Sequence, residues 1–137
     1  SIKDYNKITM TTATRSQKEY QERIHQAIDY INKHLSEEIN LDKLSEAACF
    51  SPFHFHLIFT NFIGETPRDF IERLRLERAA NCLISRPNES ITVVAFYCGF
   101  GSLSSFSRAF KKRYGMSPRD FFTKHKEDFH SLYISEK

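Results

Sequence analysis

The sequence predicts an all-α protein whose 137 residues form seven helices in two similar halves. Apolar residues recur at intervals of three and four positions in the longer segments, which is the period of a helix with one buried face. Polar caps, prolines and glycines mark where these segments begin and end. No segment alternates apolar and polar residues between turn signals, so no strand is predicted.

Each predicted helix has a local reason. Helix 1 carries one apolar stripe from Ile24 to Leu35, and helix 4 carries apolar residues on several sides, as expected of a connector that packs against two bodies. Helices 3, 4 and 7 begin at a Ser-Pro or Thr-Pro pair, in which the first residue caps the helix and the proline needs no N–H partner. Glycines follow helices 3, 5 and 6. The predicted bounds are 17–35, 41–48, 52–63, 67–85, 91–98, 102–114 and 117–126 for helices 1 to 7.

The charge is distributed unevenly along the chain. The net charge is +3, yet residues 99–126 hold seven cations and one anion, a net +6, and residues 1–50 hold seven cations and eight anions. A positive field in the C-terminal part favours a polyanionic partner. No apolar run reaches the roughly 18 residues of a membrane span, and no secretory signal is visible. The three cysteines lie in apolar helical contexts without a CxxC pair, which predicts buried free thiols and a cytoplasmic protein.

The two halves of the sequence repeat each other. GETPRDF begins at Gly64 and GMSPRDF begins at Gly115, which is 51 residues later. Each half contains a short helix, a tight turn and a second helix, and these are the parts of a helix-turn-helix. The same offset pairs Ser51 with Ser102, Phe55 with Phe106, and Phe59 with Phe110.

The second helix of each half has a face that can contact DNA. One face of this helix packs against the preceding helix, and the opposite face is free to enter a major groove of DNA. On helix 6, Arg108 can bind the edge of a guanine, and the lysines that follow it can bind phosphates. On helix 3, Phe53 can contact a thymine methyl group, and His56 can donate a hydrogen bond to a base or a phosphate. Arg119, at the start of helix 7, is a candidate phosphate clamp. The predicted DNA-binding residues are Phe53, His56, Leu57, Ser104, Ser105, Ser107, Arg108, Lys111, Lys112 and Arg119.

Other functions remain open to different degrees. The face of helix 6 has a plainer interpretation as a solvated surface, and Phe53 and Leu57 can belong to a core or to a protein contact. A helical protein-interaction module is therefore the alternative, and its binding would be insensitive to salt, unlike DNA binding. His54 and His56 face different directions and have no third ligand nearby, so neither a metal nor another cofactor is predicted. The chain has no phosphate-binding glycine loop, carboxylate pair or nucleophile elbow, and we expect no enzyme activity.

The residues from Ala95 to Phe121 carry the strongest family resemblance. CGFGS and FSRAFKKRYGMSPRDF in this stretch, and LSEAACFSPFHFHLIF and GETPRDFIERLRLERAANCLI before it, resemble the DNA-binding domain of the AraC/XylS family of bacterial transcription regulators. The resemblance runs from about Tyr20 to Phe122. It implies a homeodomain-like, seven-helix domain in which helix 4 joins two subdomains and helices 3 and 6 enter adjacent major-groove segments, about 34 Å or roughly 10 base pairs apart. It places base contacts on Phe53, His56, Leu57, Ser104, Ser105 and Arg108.

Three positions depart from the family pattern, and one of them is Phe122, where members frequently carry Arg. Members often carry Arg where this chain has Leu57, so helix 3 is expected to read DNA by shape and thymine methyl groups, or to contribute less than helix 6. Cys49, which matches Gly99 if the second turn has one extra residue, replaces a common Gly, and we expect a less tight first turn.

The resemblance also bears on domain organisation. We expect a polar arm over 1–16, a helix-turn-helix subdomain over 17–66, a linker helix over 67–86, a second subdomain over 87–126, and a tail or linker start over 127–137. Most members of the family carry a separate effector domain, for which this chain has no room, so a stand-alone regulator or a fragment is expected. The expected partners are double-stranded DNA and RNA polymerase, with no membrane contact and a cytoplasmic, nucleoid-associated location.

Overall fold

The fold is all-α, as predicted. The structure is a computed structural model that describes the backbone of residues 15–135 and the side chains of residues 15–126. Within these residues the chain forms seven helices and no strand: α1 (Arg15–Lys33), α2 (Leu41–Ala47), α3 (Pro52–Ile63), α4 (Pro67–Ser85), α5 (Ile91–Tyr97), α6 (Leu103–Tyr114) and α7 (Pro118–Ser135).

The end of α7 is the main departure from the predicted bounds. The other helix ends lie within two residues of the prediction, but α7 continues to Ser135 instead of ending near Lys126. The predicted end is wrong because no glycine or proline follows Pro118 to stop the helix, and charged residues alone do not. The segment expected as a tail is helical through Ser135. Most of the predicted polar arm, residues 1–14, lies outside the described residues.

The chain divides into two compact units, with the boundary between Glu72 and Arg73 inside α4. In unit 1, α1 packs against α2 and α3, and α2 packs against α3. Phe55, Phe59 and Phe70 are fully buried there, and the ring centroid of Phe59 lies 5.5 Å from that of Phe55 and 5.4 Å from that of Phe70. The apolar stripe of α1 supplies Ile24, Ala27, Ile28 and Ile31 to the buried residues of this unit, as predicted.

Unit 2 repeats this core with its own residues. α5 packs against α6, and α6 packs against α7. Phe110 lies 5.6 Å from Phe106 and 5.2 Å from Phe121 between ring centroids, and Phe106 and Phe110 are fully buried. The predicted bracing residues of α5 join this cluster, whose buried members are Leu76, Ala79, Ala80, Cys82, Leu83, Val94, Ala95, Cys98, Phe106, Phe110 and Phe121.

Helix caps follow the same repeat. Ser51 accepts a hydrogen bond from the N–H of His54 at 3.3 Å, and Ser102 accepts one from the N–H of Ser105 at 3.1 Å. Thr66 and Ser117 cap α4 and α7 in the same way, at 3.2 and 3.1 Å. Each cap satisfies an N–H group that the first helical turn leaves without a partner. The capping hydrogen bonds therefore repeat at the same 51-residue offset as the amino-acid sequence.

The turns after α2 and α5 close in the same way. The N–H of a phenylalanine donates to the carbonyl five residues earlier, at 2.9 Å for Phe50 and 3.0 Å for Phe100. This closure is typical of a Schellman turn, whose central residue is left-handed. That residue is Cys49 with φ 60° in unit 1 and Gly99 with φ 93° in unit 2. The expectation of a less tight first turn is wrong, because Cys49 adopts the left-handed conformation at a cost of about 1–2 kcal/mol.

The cysteines differ in burial. All three are free, and Cys82 and Cys98 are buried as predicted, but Cys49 is exposed because it lies on the turn and not on a packed helix face. Burial, together with the neighbouring Cys82 thiol, raises the pKa of Cys98 to about 12. The thiol of Cys98 therefore stays protonated and unreactive at physiological pH.

In the part of the chain that the structure describes, no helix has both the length and the apolar character needed to cross a bilayer.

Candidate nucleic-acid interface

Helix α6 has one buried face and one cationic face. Phe106 and Phe110 are fully buried on the first face, whereas Ser104, Arg108 and the two lysines Lys111 and Lys112 are exposed. Among the described residues, neither Arg108 nor the two lysines forms an ion pair with an acidic side chain. Their charges are therefore available to a ligand, and a guanidinium beside a short hydroxyl group can bind the edge of a base while the lysines bind phosphates.

Ser105 is less available than the sequence suggested. Its backbone N–H donates to the Ser102 hydroxyl oxygen, its own hydroxyl donates to the Ser102 carbonyl oxygen at 3.1 Å, and the two hydroxyl oxygens are 3.0 Å apart. Ser105 is also half-buried. The structure thus ties this residue to the start of α6, and Ser104 is the serine whose side chain faces solvent.

Arg113, at the end of α6, is held by an acidic residue of α4. Its guanidinium lies 3.7 Å from the Glu77 carboxylate, which also receives a 3.0 Å hydrogen bond from Arg73. The pairs are partly exposed, so each contributes at most about 1 kcal/mol to stability. The ion pair with Glu77 still makes the Arg113 guanidinium less available to phosphates than the ammonium groups of Lys111 and Lys112.

Ser107 and Arg119 meet in a depression of unit 2. This depression has a volume of about 500 Å³, and the capping residues Ser90 and Ser117 line it together with Arg86. Arg119 is exposed and Ser107 is half-buried. The structure therefore brings these two predicted residues together, on the side of α6 that is next to the start of α7.

Helix α3 presents an apolar face at the matching positions. Phe53 is 72% exposed and Leu57 is 47% exposed, one helical turn apart, and His56 is exposed beside them. The helix contains no Lys, Arg, Asp or Glu. Thr60, next on this face, donates its hydroxyl to the His56 carbonyl oxygen at 2.7 Å. The exposed surface of α3 can therefore offer apolar contact and imidazole hydrogen bonds, but no formal charge from Lys or Arg.

One exposed stripe was not predicted from the sequence. Val93, Phe96 and Tyr97 on α5 are 52%, 52% and 45% exposed, and the Arg86 guanidinium lies 5.3 Å from the centre of the Tyr97 ring. The signal was present, because these positions recur at three and four residues on the side of α5 opposite its bracing residues. When a short helix is apolar on two sides and packs against its neighbours with one of them, the other apolar side remains exposed.

Within the described residues, no three His, Cys, Asp or Glu side chains cluster so that they could hold a metal ion. The predicted interface residues are hydroxyl, imidazole, cationic and apolar side chains, which can act by hydrogen bonding, charge and apolar contact.

Similar proteins identify what this architecture is. The helix-turn-helix domain family matches residues 44–124. YobQ of Bacillus subtilis, an uncharacterized HTH-type transcriptional regulator, is 42% identical over 93 residues, which are 68% of this chain and 38% of YobQ. The chain thus spans little more than a third of the length of this curated relative. The names of such relatives describe transcriptional regulators.

Solved structures extend the comparison to the fold. A probable AraC family transcriptional regulator from Rhodopseudomonas palustris is 26% identical with a TM-score of 0.68, and the match covers 76% of this chain and 97% of that one. The DNA-binding domain of AdpA, a global transcriptional factor solved with a target DNA, has the same fold at 23% identity and a TM-score of 0.74, over 77% of this chain and 95% of that one. With its family match across both helix-turn-helix units, this chain belongs to the AraC-type family and is a DNA-binding domain of a transcription regulator.

Proposed function

We propose that this chain binds double-stranded DNA site-specifically and inserts α3 and α6 into adjacent segments of the major groove. The observation that carries the proposal is the face of α6, where Ser104 and Arg108 are exposed above a fully buried pair of phenylalanines. A braced helix with a free cationic face fits the width of a major groove. The proposed centres of the two contacts lie about 10 base pairs apart on the duplex.

The contacts divide into two classes. Arg108 and Ser104 contact bases, while Lys111, Lys112 and Arg119 contact phosphates and supply affinity without sequence information. Ser107 lines the depression that Arg119 borders, so it belongs with the phosphate contacts in this proposal. Ser105 contributes to DNA binding indirectly in this proposal, because its hydrogen bonds with Ser102 fix the start of α6. On α3, Phe53, His56 and Leu57 contact the other half of the site.

The test uses the full chain and a site selected from random DNA. Arg108→Ala should weaken binding by about 1–3 kcal/mol and relax the preference at one base pair. Lys112→Ala should weaken binding to all sequences alike and reduce the salt slope by about 1. Lys33→Ala, at the exposed end of α1, is the matched control and should bind as the parent does. If Arg108→Ala and Lys112→Ala both bind like the control, the proposed role of α6 is wrong.

A helical protein-interaction module is the second candidate function. The exposed apolar side chains of α3 and α5 favour it. Its binding would not respond to salt, whereas DNA binding should weaken steeply as salt rises because counterions are released. A salt titration of binding to the selected site therefore separates the two functions.

A second part of the proposal concerns the whole regulator. We propose that an effector domain outside this chain controls the DNA-binding unit, and that the bound protein contacts RNA polymerase at the promoter. Such a protein would act in the bacterial cytoplasm, at the nucleoid. Co-purification of RNA polymerase on promoter DNA, with and without this chain, tests the contact.

A further inference from the structure

Helix α3 carries an exposed apolar pair that matches one chemical group of DNA. We infer that Phe53 and Leu57 make α3 a reader of pyrimidine C5-methyl groups, so that thymines specify the base pairs that these two side chains contact in the half-site under unit 1. This inference rests on the proposed function, because it assigns the base chemistry that one of its two helices recognises.

The outer side of α3 is apolar and open to solvent. Phe53 is 72% and Leu57 is 47% exposed, although the same helix has Phe55 and Phe59 fully buried on its other side. Four residues apart on a helix, the two side chains lie next to each other on one face. Both side chains are exposed on the side of α3 opposite its buried phenylalanines.

Helix α3 also lacks the charged groups that read other bases. From Pro52 to Ile63 there is no Lys, Arg, Asp or Glu, so α3 cannot form the bidentate guanidinium contact with guanine or accept a hydrogen bond from cytosine through a carboxylate. The base edges of the major groove present donors, acceptors and one apolar group, the thymine methyl. Among these base edges, the methyl group of thymine, or the same group on 5-methylcytosine, offers an apolar side chain the largest apolar contact.

The internal repeat supplies a comparison within the molecule. At the 51-residue offset, Phe53 matches Ser104 and Leu57 matches Arg108. The two positions that hold a hydroxyl and a guanidinium on α6 thus hold an aromatic ring and an isobutyl group on α3. Unit 2 therefore has the same framework as unit 1 but a polar reading surface.

The geometry limits which thymines are read. Cα atoms four residues apart are separated by about 6 Å along a helix axis, and base pairs are stacked about 3.4 Å apart. Phe53 and Leu57 can therefore contact methyl groups on neighbouring or next-neighbouring base pairs. A pair of thymines within two steps of each other is the expected core of this half-site.

The experiment replaces single thymines of the selected site by deoxyuridine. Uracil keeps the base pairing and every hydrogen-bonding group but removes the methyl group. In the half-site under unit 1, identified as the half whose preferences Arg108→Ala leaves intact, we expect the Kd to rise about fourfold at one or two thymines, as loss of one buried methyl group predicts. Substitutions in the other half should have no such effect.

Variants of the protein assign the effect to side chains. In Phe53→Ala, the uracil substitution at one thymine should no longer change the Kd, and in Leu57→Ala the same should hold at the other. Val93→Ala, an equally apolar and half-exposed residue on α5, is the control and should keep the full uracil effect.

The outcomes separate this inference from the proposed function. If the chain binds its selected site with salt dependence, yet no thymine responds to uracil, the methyl-reading inference is overturned and the DNA-binding function stands. The inference is equally overturned if Phe53→Ala and Leu57→Ala leave the uracil effects unchanged. If no site is selected at all, both the function and the inference fail.

Discussion

The two helix-turn-helix units agree in their cores and differ on their exposed faces. Phe59 in unit 1 and Phe110 in unit 2 are both fully buried, and each packs against the preceding buried phenylalanine of its own helix and a phenylalanine of the next helix. Phe110 also lies 4.6 Å from Tyr114 between ring centroids. On the outer faces, Leu57 corresponds to Arg108 and Phe53 to Ser104. Close packing restricts what a core position can hold, while an exposed position can change its chemistry without loss of the fold.

The charge follows the same division. Helix α6 ends in Lys111, Lys112 and Arg113, whereas α3 has no basic residue in its last turn. A repeated framework with two different surfaces can read two different half-sites, so affinity from phosphates should come mainly from unit 2. Substitutions of matched residues in the two units test whether their cores are equivalent and their exposed faces different.

The largest effect is expected from the matched core rings. Phe59→Ala and Phe110→Ala should each destabilise the unit that contains them by about 3–5 kcal/mol, because each removes a fully buried ring and leaves a cavity. Native-state hydrogen exchange, which resolves the amides of each unit, measures the loss. Phe96→Ala, at a half-exposed position of α5, is the control and should cost far less. A loss below about 1 kcal/mol for either core variant would contradict the equivalence of the two cores.

The next effect concerns the reading surface. Leu57→Arg gives α3 the guanidinium that α6 carries at the matching position, and it should create a preference for guanine worth about 1–3 kcal/mol in the half-site under unit 1. Repeated selection from random DNA with the parent and the variant measures the change. Leu57→Met keeps an apolar side chain and should keep the parental preference. An unchanged guanine frequency with Leu57→Arg would mean that position 57 does not face the bases.

The smallest effect concerns the matched turns. Gly99→Ala should cost about 1–2 kcal/mol, because φ 93° is strained for a residue with a Cβ atom. Cys49→Gly should change stability in the opposite direction by less than about 1 kcal/mol, since the relief of strain at φ 60° is partly offset by the greater freedom of the unfolded chain. Urea denaturation of both variants measures the pair. A destabilised Cys49→Gly would indicate that the cysteine side chain makes a stabilising contact of its own.

The local features were predictable because their causes are local. Serine, threonine and proline at helix starts act on residues a few positions away, and the 51-residue repeat is visible when the two halves of the sequence are aligned. The structure contains the expected caps and buried phenylalanines. The end of α7 was placed too early because a helix without a stop residue continues until something outside the local pattern ends it.

The sequence indicated which residue types lie at the candidate site, but not which of their side chains are free to contact a ligand. Arg108 and Phe53 are exposed where helical periodicity places them. Ser105 and Ser107 were expected on the same face, yet Ser105 is tied to Ser102, and Ser107 lines a depression with Arg119. Periodicity gives the direction of a side chain, but not the hydrogen bond that it makes.

The helices and their caps follow from the sequence alone, because hydrophobic period, capping and glycine stops act within a few residues, and the duplication is visible in the sequence itself. Packing between helices sets which groups remain available: it pairs Arg113 with Glu77 and buries Cys82 beside Cys98. These outcomes depend on contacts between residues that lie far apart in the chain, and only packing brings such residues together.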